Sequence, residues 1–255
     1  MTIFKFLSRI CDSDPANWHN DYRYSQIIEF LKGHGIKFDE VSYNDGATNN
    51  IYVHFGEPFV NIFGAHYDIV PNVQGALDNG ASVAELIGLA INFQGHTVNL
   101  TIAFLDNEEF LGGLGPYNEI GSYCMAHNEL NIDDVYEQSI ILDVCGKGDV
   151  ILTREDCNLA FSGYKHAIQT MPGSDDRIIN RECGFFSKNQ RGNWSLNQDK
   201  RSLLLSVLPE SELQSHETWH MLHTTNDILD NVESDTLEMM VRFITKLAHK
   251  MTDAS

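Results

Sequence analysis

The sequence predicts an α/β fold in one domain, a mixed and mainly parallel β-sheet sandwiched between helices. Three observations predict it. Apolar segments of strand length alternate along the chain with segments of helical periodicity. Several of the strand segments are continuously apolar rather than alternating, as strands buried on both faces are. No internal repeat, low-complexity tract or Pro/Gly/Ser-rich linker divides the 255 residues, so residues 1–255 are expected to form a single domain. A chain of that length can bury a full core.

In chain order, Tyr22 to Leu31 carries apolar residues at helical spacing and stops at Gly33 and Gly35. Strands are expected at Ile51–Phe55, Phe59–Phe63, Leu100–Leu105, Ile140–Val144, Val150–Leu152 and Leu203–Leu208. Helices are expected at Ala81–Phe93, Ile120–Glu129, Cys157–Thr170 and Asp235–Met251. Strands separated by helices pair in parallel and leave both faces of the sheet covered.

A composition of 42% hydrophobic, 10% aromatic and 21% charged residues is that of an ordinary globular protein and excludes disorder, collagen-like repeats and a disulfide-stapled miniprotein. The charge is lopsided: 17 Lys+Arg against 36 Asp+Glu give a formal net charge of −19. That field repels phosphate, so neither nucleic acid nor an anionic membrane is expected as a partner. No apolar run reaches the length of a membrane span, and the stretch from Met1 to Arg9 lacks the uninterrupted apolar core of a secretory signal. The five cysteines, Cys11, Cys124, Cys145, Cys157 and Cys183, are scattered with no C-x-x-C pair, as for reduced thiols in a cytoplasmic protein. No exposed apolar stripe specifies an oligomer.

Chemistry in an open α/β sheet collects just past the carboxyl ends of its strands. Three expected strand ends run into histidine or acids: Gly64-Ala65-His66-Tyr67-Asp68, Asp106-Asn107-Glu108-Glu109, and Asp143. Asp78 stands in a glycine-flanked loop before a helix, and His223-Thr224-Thr225-Asn226-Asp227 precedes the last helix. Taken singly, each has a commoner structural role: Asp78 as an N-cap, His66 as a hydrogen-bonded histidine, Glu108 and Glu109 as solvated loop acids. Their recurrence at consecutive strand ends points instead to one cleft. Two imidazoles among several carboxylates suit zinc, manganese or cobalt rather than calcium.

The order His-x-Asp (His66, Asp68), Ala-x-Asp-Asn (Ala76 to Asn79), Asp-x-Glu-Glu (Asp106 to Glu109), a buried Asp143 and His-Thr-x-x-Asp (His223 to Asp227) resembles the co-catalytic zinc exopeptidases. That family includes leucyl aminopeptidases, glutamate carboxypeptidases and, as relatives, the glutaminyl cyclases, and the similarity extends over Asn61 to Val232. The resemblance implies a zinc-peptidase-like catalytic domain holding two divalent ions, zinc foremost. It implies His66 and Asp143 as ligands of one ion, Glu109 and His223 as ligands of the other, and Asp78 as the bridge. Glu108 would be the general base for the attacking water, and Asp68 the carboxylate that orients His66. Successive residues of an extended strand end project to opposite sides, so Glu109 can bind metal while Glu108 faces substrate.

The activity implied is aminopeptidase hydrolysis of the N-terminal bond of a peptide or amino-acyl substrate with a free N-terminus. The relatives leave a second possibility, a cyclase-like aminoacyltransferase that forms N-terminal pyroglutamate. In the cyclase pattern a tryptophan precedes the ligand, which would fit Trp219-His220; the ungapped run from His223 to Val232 favours His223. Asp176 to Arg201 departs from the family's usual elements, so the side-chain preference does not carry over. Phe185, Phe186 and Trp194 are candidates for the pocket lining.

Overall fold

The computed structural model describes residues 3–109, 117–130, 138–153 and 202–253. Helix α1 (Ile3–Ile10) buries Phe6, Leu7 and Ile10 along one side. Helix α2 (Asn20–Gly33) starts where His19 Nδ1 accepts the Tyr22 amide, and it buries Ile27, Ile28, Phe30 and Leu31. An antiparallel hairpin follows, β1 (Asp39–Tyr43) with β2 (Thr48–Phe55). Then come β3 (Asn61–His66), α3 (Ala81–Phe93), β4 (Leu100–Leu105), α4 (Gly121–Asn128), β5 (Gln138–Leu142) and β6 (Val150–Thr153). The chain ends with β7 (Ser202–Leu208), the short α5 (Glu212–Ser215) and the long α6 (Ser234–Asp253).

Seven strands form one sheet in the order β1-β2-β4-β3-β5-β7-β6. The central four, β4, β3, β5 and β7, run parallel, and the flanking pairs are antiparallel. β3 and β4 expose nothing at any position, which explains why Ile62–Ala65 and Ile102–Leu105 are continuously apolar instead of alternating. Charge marks the edge: Asp39 and Glu40 of β1 face solvent, which guards an open strand against pairing with another chain. Helix α3 is buried over nearly its whole length, packed against α1, α6 and strand β3.

The α/β class and the mostly parallel sheet are as expected, with differences at element ends that have local causes. The strand expected at Phe59–Phe63 runs instead from Asn61 to His66, because Phe59 at φ +60° cannot be extended backbone. The strand expected at Ile140–Val144 ends at Leu142, since Val144 turns to φ +56°. Helix α1 and strand β1 were not expected: the first is eight residues long, and the second is a polar edge strand with no apolar run to mark it. The helix expected at Cys157–Thr170 lies outside the described residues, as do Phe185, Phe186 and Trp194.

The register brings the carboxyl ends of the parallel strands level. His66 pairs with Leu105, and Leu142 with Leu205, so His66, Asp106–Glu109 and Asp143 emerge along one edge. Ile102, fully buried on β4, measures how far this edge depends on the core below it. Ile102→Ala is expected to lower unfolding stability by about 2–5 kcal/mol, a loss to be read from the denaturant midpoint.

Candidate metal centre

Five side chains converge above that edge. The Nε2 atom of His66 lies 3.1 Å from Asp78 Oδ1 and 3.5 Å from Asp143 Oδ1. His223 Nε2 lies 3.0 Å from Glu109 Oε1 and 3.2 Å from the other oxygen of Asp78. Asp78 therefore faces an imidazole with each of its oxygens. Three groups have donor atoms within 4.8 Å of one another: His66, Asp78 and Asp143; His66, Glu108 and Glu109; and Asp78, Glu109 and His223. Imidazole nitrogens with carboxylate oxygens are a donor set that fits zinc.

Asp68 stands behind this set. One of its oxygens lies 3.3 Å from His66 Nδ1, and the other accepts the Glu109 amide at 2.7 Å. It thus touches the side chain of one converging residue and the backbone of another. His220 is exposed and belongs to none of the three groups, whereas His223 belongs to one.

His66 ends the regular strand β3, and the other donors are delivered by backbone turns that depart from regular structure. Asn107 (φ +58°) sits just before the two glutamates, Val144 (φ +56°) just after Asp143, and His223 is itself at φ +58°. Left-handed backbone costs energy for residues with side chains, most for a β-branched one such as Val144, and its clustering at one edge is typical of functional sites. Asp78 and Asn79 interrupt the π-helical turn Ala76–Gly80, and the peptide between them is cis. The Asn79 side chain ties that turn to β5, donating to Leu142 O at 2.9 Å and accepting the Val144 amide at 3.3 Å.

Crowding governs the ionisation. Burial and the neighbouring Asp78 push Glu109 up to about 7, and burial likewise raises Asp143. Burial holds Glu108 well above the usual carboxylate range, reinforced by Glu109, Asp143 and Asp68 against the opposing pull of His66. Asp78 is the exception: burial would raise it, but hydrogen bonds to His223 and His66 hold it below the ordinary range. Burial disfavours the charged His66 ring, yet Asp143, Asp68 and Asp78 outweigh it and raise the pKa well above the usual value. Asp78 and Glu109 raise His223 to about 11. The carboxylates thus favour positive charge on both imidazoles.

Three residues to which the sequence analysis gave no role also shape the site. Asp106 is buried, accepts the amides of Asn49 and Asn107 at 2.9 Å each, and fixes the turn that leads into Glu108. Arg23, 1% exposed, reaches backbone carbonyls beside His66 and Asp78. Asp227, noted only as the last letter of a motif, accepts the amides of Leu77 and Asp78. A signal for Arg23 was available, because it falls four, seven and eight residues before the buried Ile27, Phe30 and Leu31, in the apolar stripe of α2.

A parallel sheet with imidazoles and carboxylates gathered at its carboxyl edge is the frame of a metallohydrolase. Residues 50–248 match the sequence pattern of peptidase family M28, and the chain belongs to that family. A vacuolar membrane protease of Lachancea thermotolerans is 26% identical over 190 residues, covering 69% of this chain but only 19% of that protein, so the chain spans about a fifth of this relative's length. Among solved structures, a Zn-dependent exopeptidase from Parabacteroides distasonis superposes with a TM-score of 0.71 at 19% identity, covering 99% of this chain and 97% of the other. A glutaminyl cyclase from Tannerella forsythia superposes equally well, with a TM-score of 0.71 at 20% identity and 97% coverage of both chains. At those identities the likeness is one of fold. No helix among the described residues is long and apolar enough to cross a membrane.

The charge balance gives a pH dependence. The surrounding carboxylates favour the protonated form of both imidazoles, and an ion held there would have to displace those protons. Zinc affinity is therefore expected to rise with pH, by about tenfold per pH unit for each proton displaced. Competition with a chromogenic chelator between pH 6 and 8 measures it; a flat profile would mean that the rings are already neutral.

Proposed function

We propose that the chain is a metal-dependent aminopeptidase that cleaves the N-terminal peptide bond of a substrate with a free N-terminus. The observation that carries this reading is Asp78 shared between His66 and His223, with Glu108 beside Glu109, in a chain of peptidase family M28. His66, Asp78 and Asp143 would hold one ion, and Asp78, Glu109 and His223 a second, both zinc. Bound there, the ions polarise the scissile carbonyl and lower the pKa of water. The protein's own part is to place the groups and move the proton.

Glu108 is the general base. It takes a proton from the attacking water and later gives it to the leaving amine, a task for a carboxylate placed beside the metal-holding Glu109. Asp68 fixes the His66 ring and the Glu109 backbone together, so the two metal positions keep their spacing. The surplus of acidic residues favours a substrate that brings a protonated α-amine.

The second reading, a cyclase that forms pyroglutamate, is supported by the fold likeness to the Tannerella forsythia enzyme. Against it stands the register of the last donor: His223, within His-Thr-x-x-Asp, meets Glu109 and Asp78, while His220 behind Trp219 belongs to none of the three donor groups.

Mass spectrometry of a peptide pool incubated with zinc-loaded protein separates the two. Free, N-acetylated and N-terminal-glutamine peptides are included, and stepwise loss of one residue from free N-termini alone is expected. Loss of ammonia from the glutamine peptides with every backbone intact would establish the cyclase. Glu108→Gln is expected to keep its zinc while turnover falls by about 10²–10⁴-fold. Unchanged turnover would remove Glu108 from its role.

A further inference from the structure

The turn that carries Asp78 is gripped from both ends of the chain by charged side chains that touch only its backbone. On one side is Arg23 of α2. Its Nη1 donates to Tyr67 O at 3.2 Å, and its Nη2 donates to Gln74 O at 2.7 Å and Gly75 O at 2.5 Å. On the other side is Asp227, from the segment before α6. Its two oxygens accept the amides of Leu77 at 2.6 Å and Asp78 at 3.2 Å. Arg23 is 1% exposed and Asp227 is fully buried. Burial and the neighbouring Asp78 push Asp227 up to about 7, against the opposing pull of the Leu77 and Asp78 amides and of the Arg23 charge.

Gln74 adds a neutral tie at the start of the turn. Its amide donates to the carbonyls of Cys11 and Asp12 after α1, and its oxygen accepts the Leu229 amide at 2.6 Å. The turn has no slack. Gly75 sits at φ +61°, and a Cβ there would come within 2.8 Å of Asp78 O and 3.0 Å of Arg23 Nη2.

Burying a full positive and a full negative charge is costly unless each is well hydrogen-bonded. Here Asp227 spends both oxygens on amides of the turn, and Arg23 spends its guanidinium on the carbonyls of Gln74 and Gly75 where the turn begins and of Tyr67 next to His66, with Cys11 Sγ 3.6 Å from Nη2. We propose that Arg23 and Asp227 are positioning residues that set the Asp78 turn before any metal arrives, so that its carboxylate already spans His66 and His223. This rests on the reading of Asp78 as the bridging ligand. The alternative is that the metal itself orders the turn and the two charges serve only the fold.

Hydrogen–deuterium exchange of the metal-free full chain is the first test. The Leu77 and Asp78 amides are expected to be protected to nearly the same degree with and without zinc. Free exchange in the metal-free protein, with protection only after zinc is added, would overturn the proposal. This measurement needs no variant and holds even if every variant fails to fold.

The second test reads zinc affinity by chelator competition. Arg23→Met and Asp227→Asn are each expected to weaken it by about tenfold or more, the loss seen when outer partners of metal ligands are removed. Arg23→Lys, which keeps a donor and the charge, is expected to recover part of it. Folded variants with wild-type zinc affinity, even at a lower melting temperature, would leave Arg23 and Asp227 a merely structural role and overturn the proposal. The two readings fail separately. A wild-type chain that binds no zinc but protects the turn removes the proposed function and keeps the clamp; one that binds zinc with an unprotected turn does the reverse.

Discussion

Asp78, Glu109 and Asp143 point their carboxylates at two imidazoles in a space where donor atoms of each group lie within 4.8 Å, and Glu108 adds a fourth acid. Like charges so close, and so largely shielded from water, repel strongly, and nothing in the apolar strands beneath offsets that repulsion. The response is a raised pKa for Glu109 and Asp143 and for the imidazoles alike, so the crowding favours positive charge in their midst. Three carboxylates offset most of the charge of two divalent ions, and Glu108 offsets the rest, so the proposed occupied centre approaches neutrality. The rest of the structure serves to hold these acids against one another.

That task falls to backbone. The parallel strands bring His66, the Asp106–Glu109 segment and Asp143 to one level, and register alone does this. Past the strand ends, direction is set by left-handed residues at 107, 144 and 223, and by polar side chains that bind main chain instead of solvent. Asp106 holds the glutamate turn, Asn79 joins the Asp78 turn to β5, and Asp68 binds the Glu109 amide. Local strain is tolerated because each turn is over-determined by several such bonds.

Much of this was legible in the sequence, and the limits have physical causes. Continuous apolar runs gave the parallel strands, because a strand covered on both faces has no polar side to show. The strand ends carried the converging acids and histidines, and family likeness supplied their order. What escaped notice was of two kinds. Element ends shifted where a single left-handed residue, Phe59 or Val144, stopped extended backbone, which no hydropathy pattern records. Residues that act on backbone rather than on a ligand were also missed. Arg23 in the apolar stripe of α2 was the visible anomaly, and its partners are carbonyls far away in sequence that only the fold brings near.

The two halves of the centre differ in their access to water. The His66 side chain is 1% exposed and Asp143 11%, whereas His223, carried on a loop, is 56% exposed. Anything arriving from solvent meets the Glu109–His223 side first, while the His66–Asp143 side lies against the core, where the dielectric is lower and each charge acts more strongly. Asp78 joins the two sides, one oxygen toward each imidazole. It is therefore the residue whose placement tolerates least error, since a shift that improves one contact lengthens the other. A buried arginine and a buried aspartate on the backbone of one short turn make physical sense at that position and would be hard to justify at a loop with freedom to move.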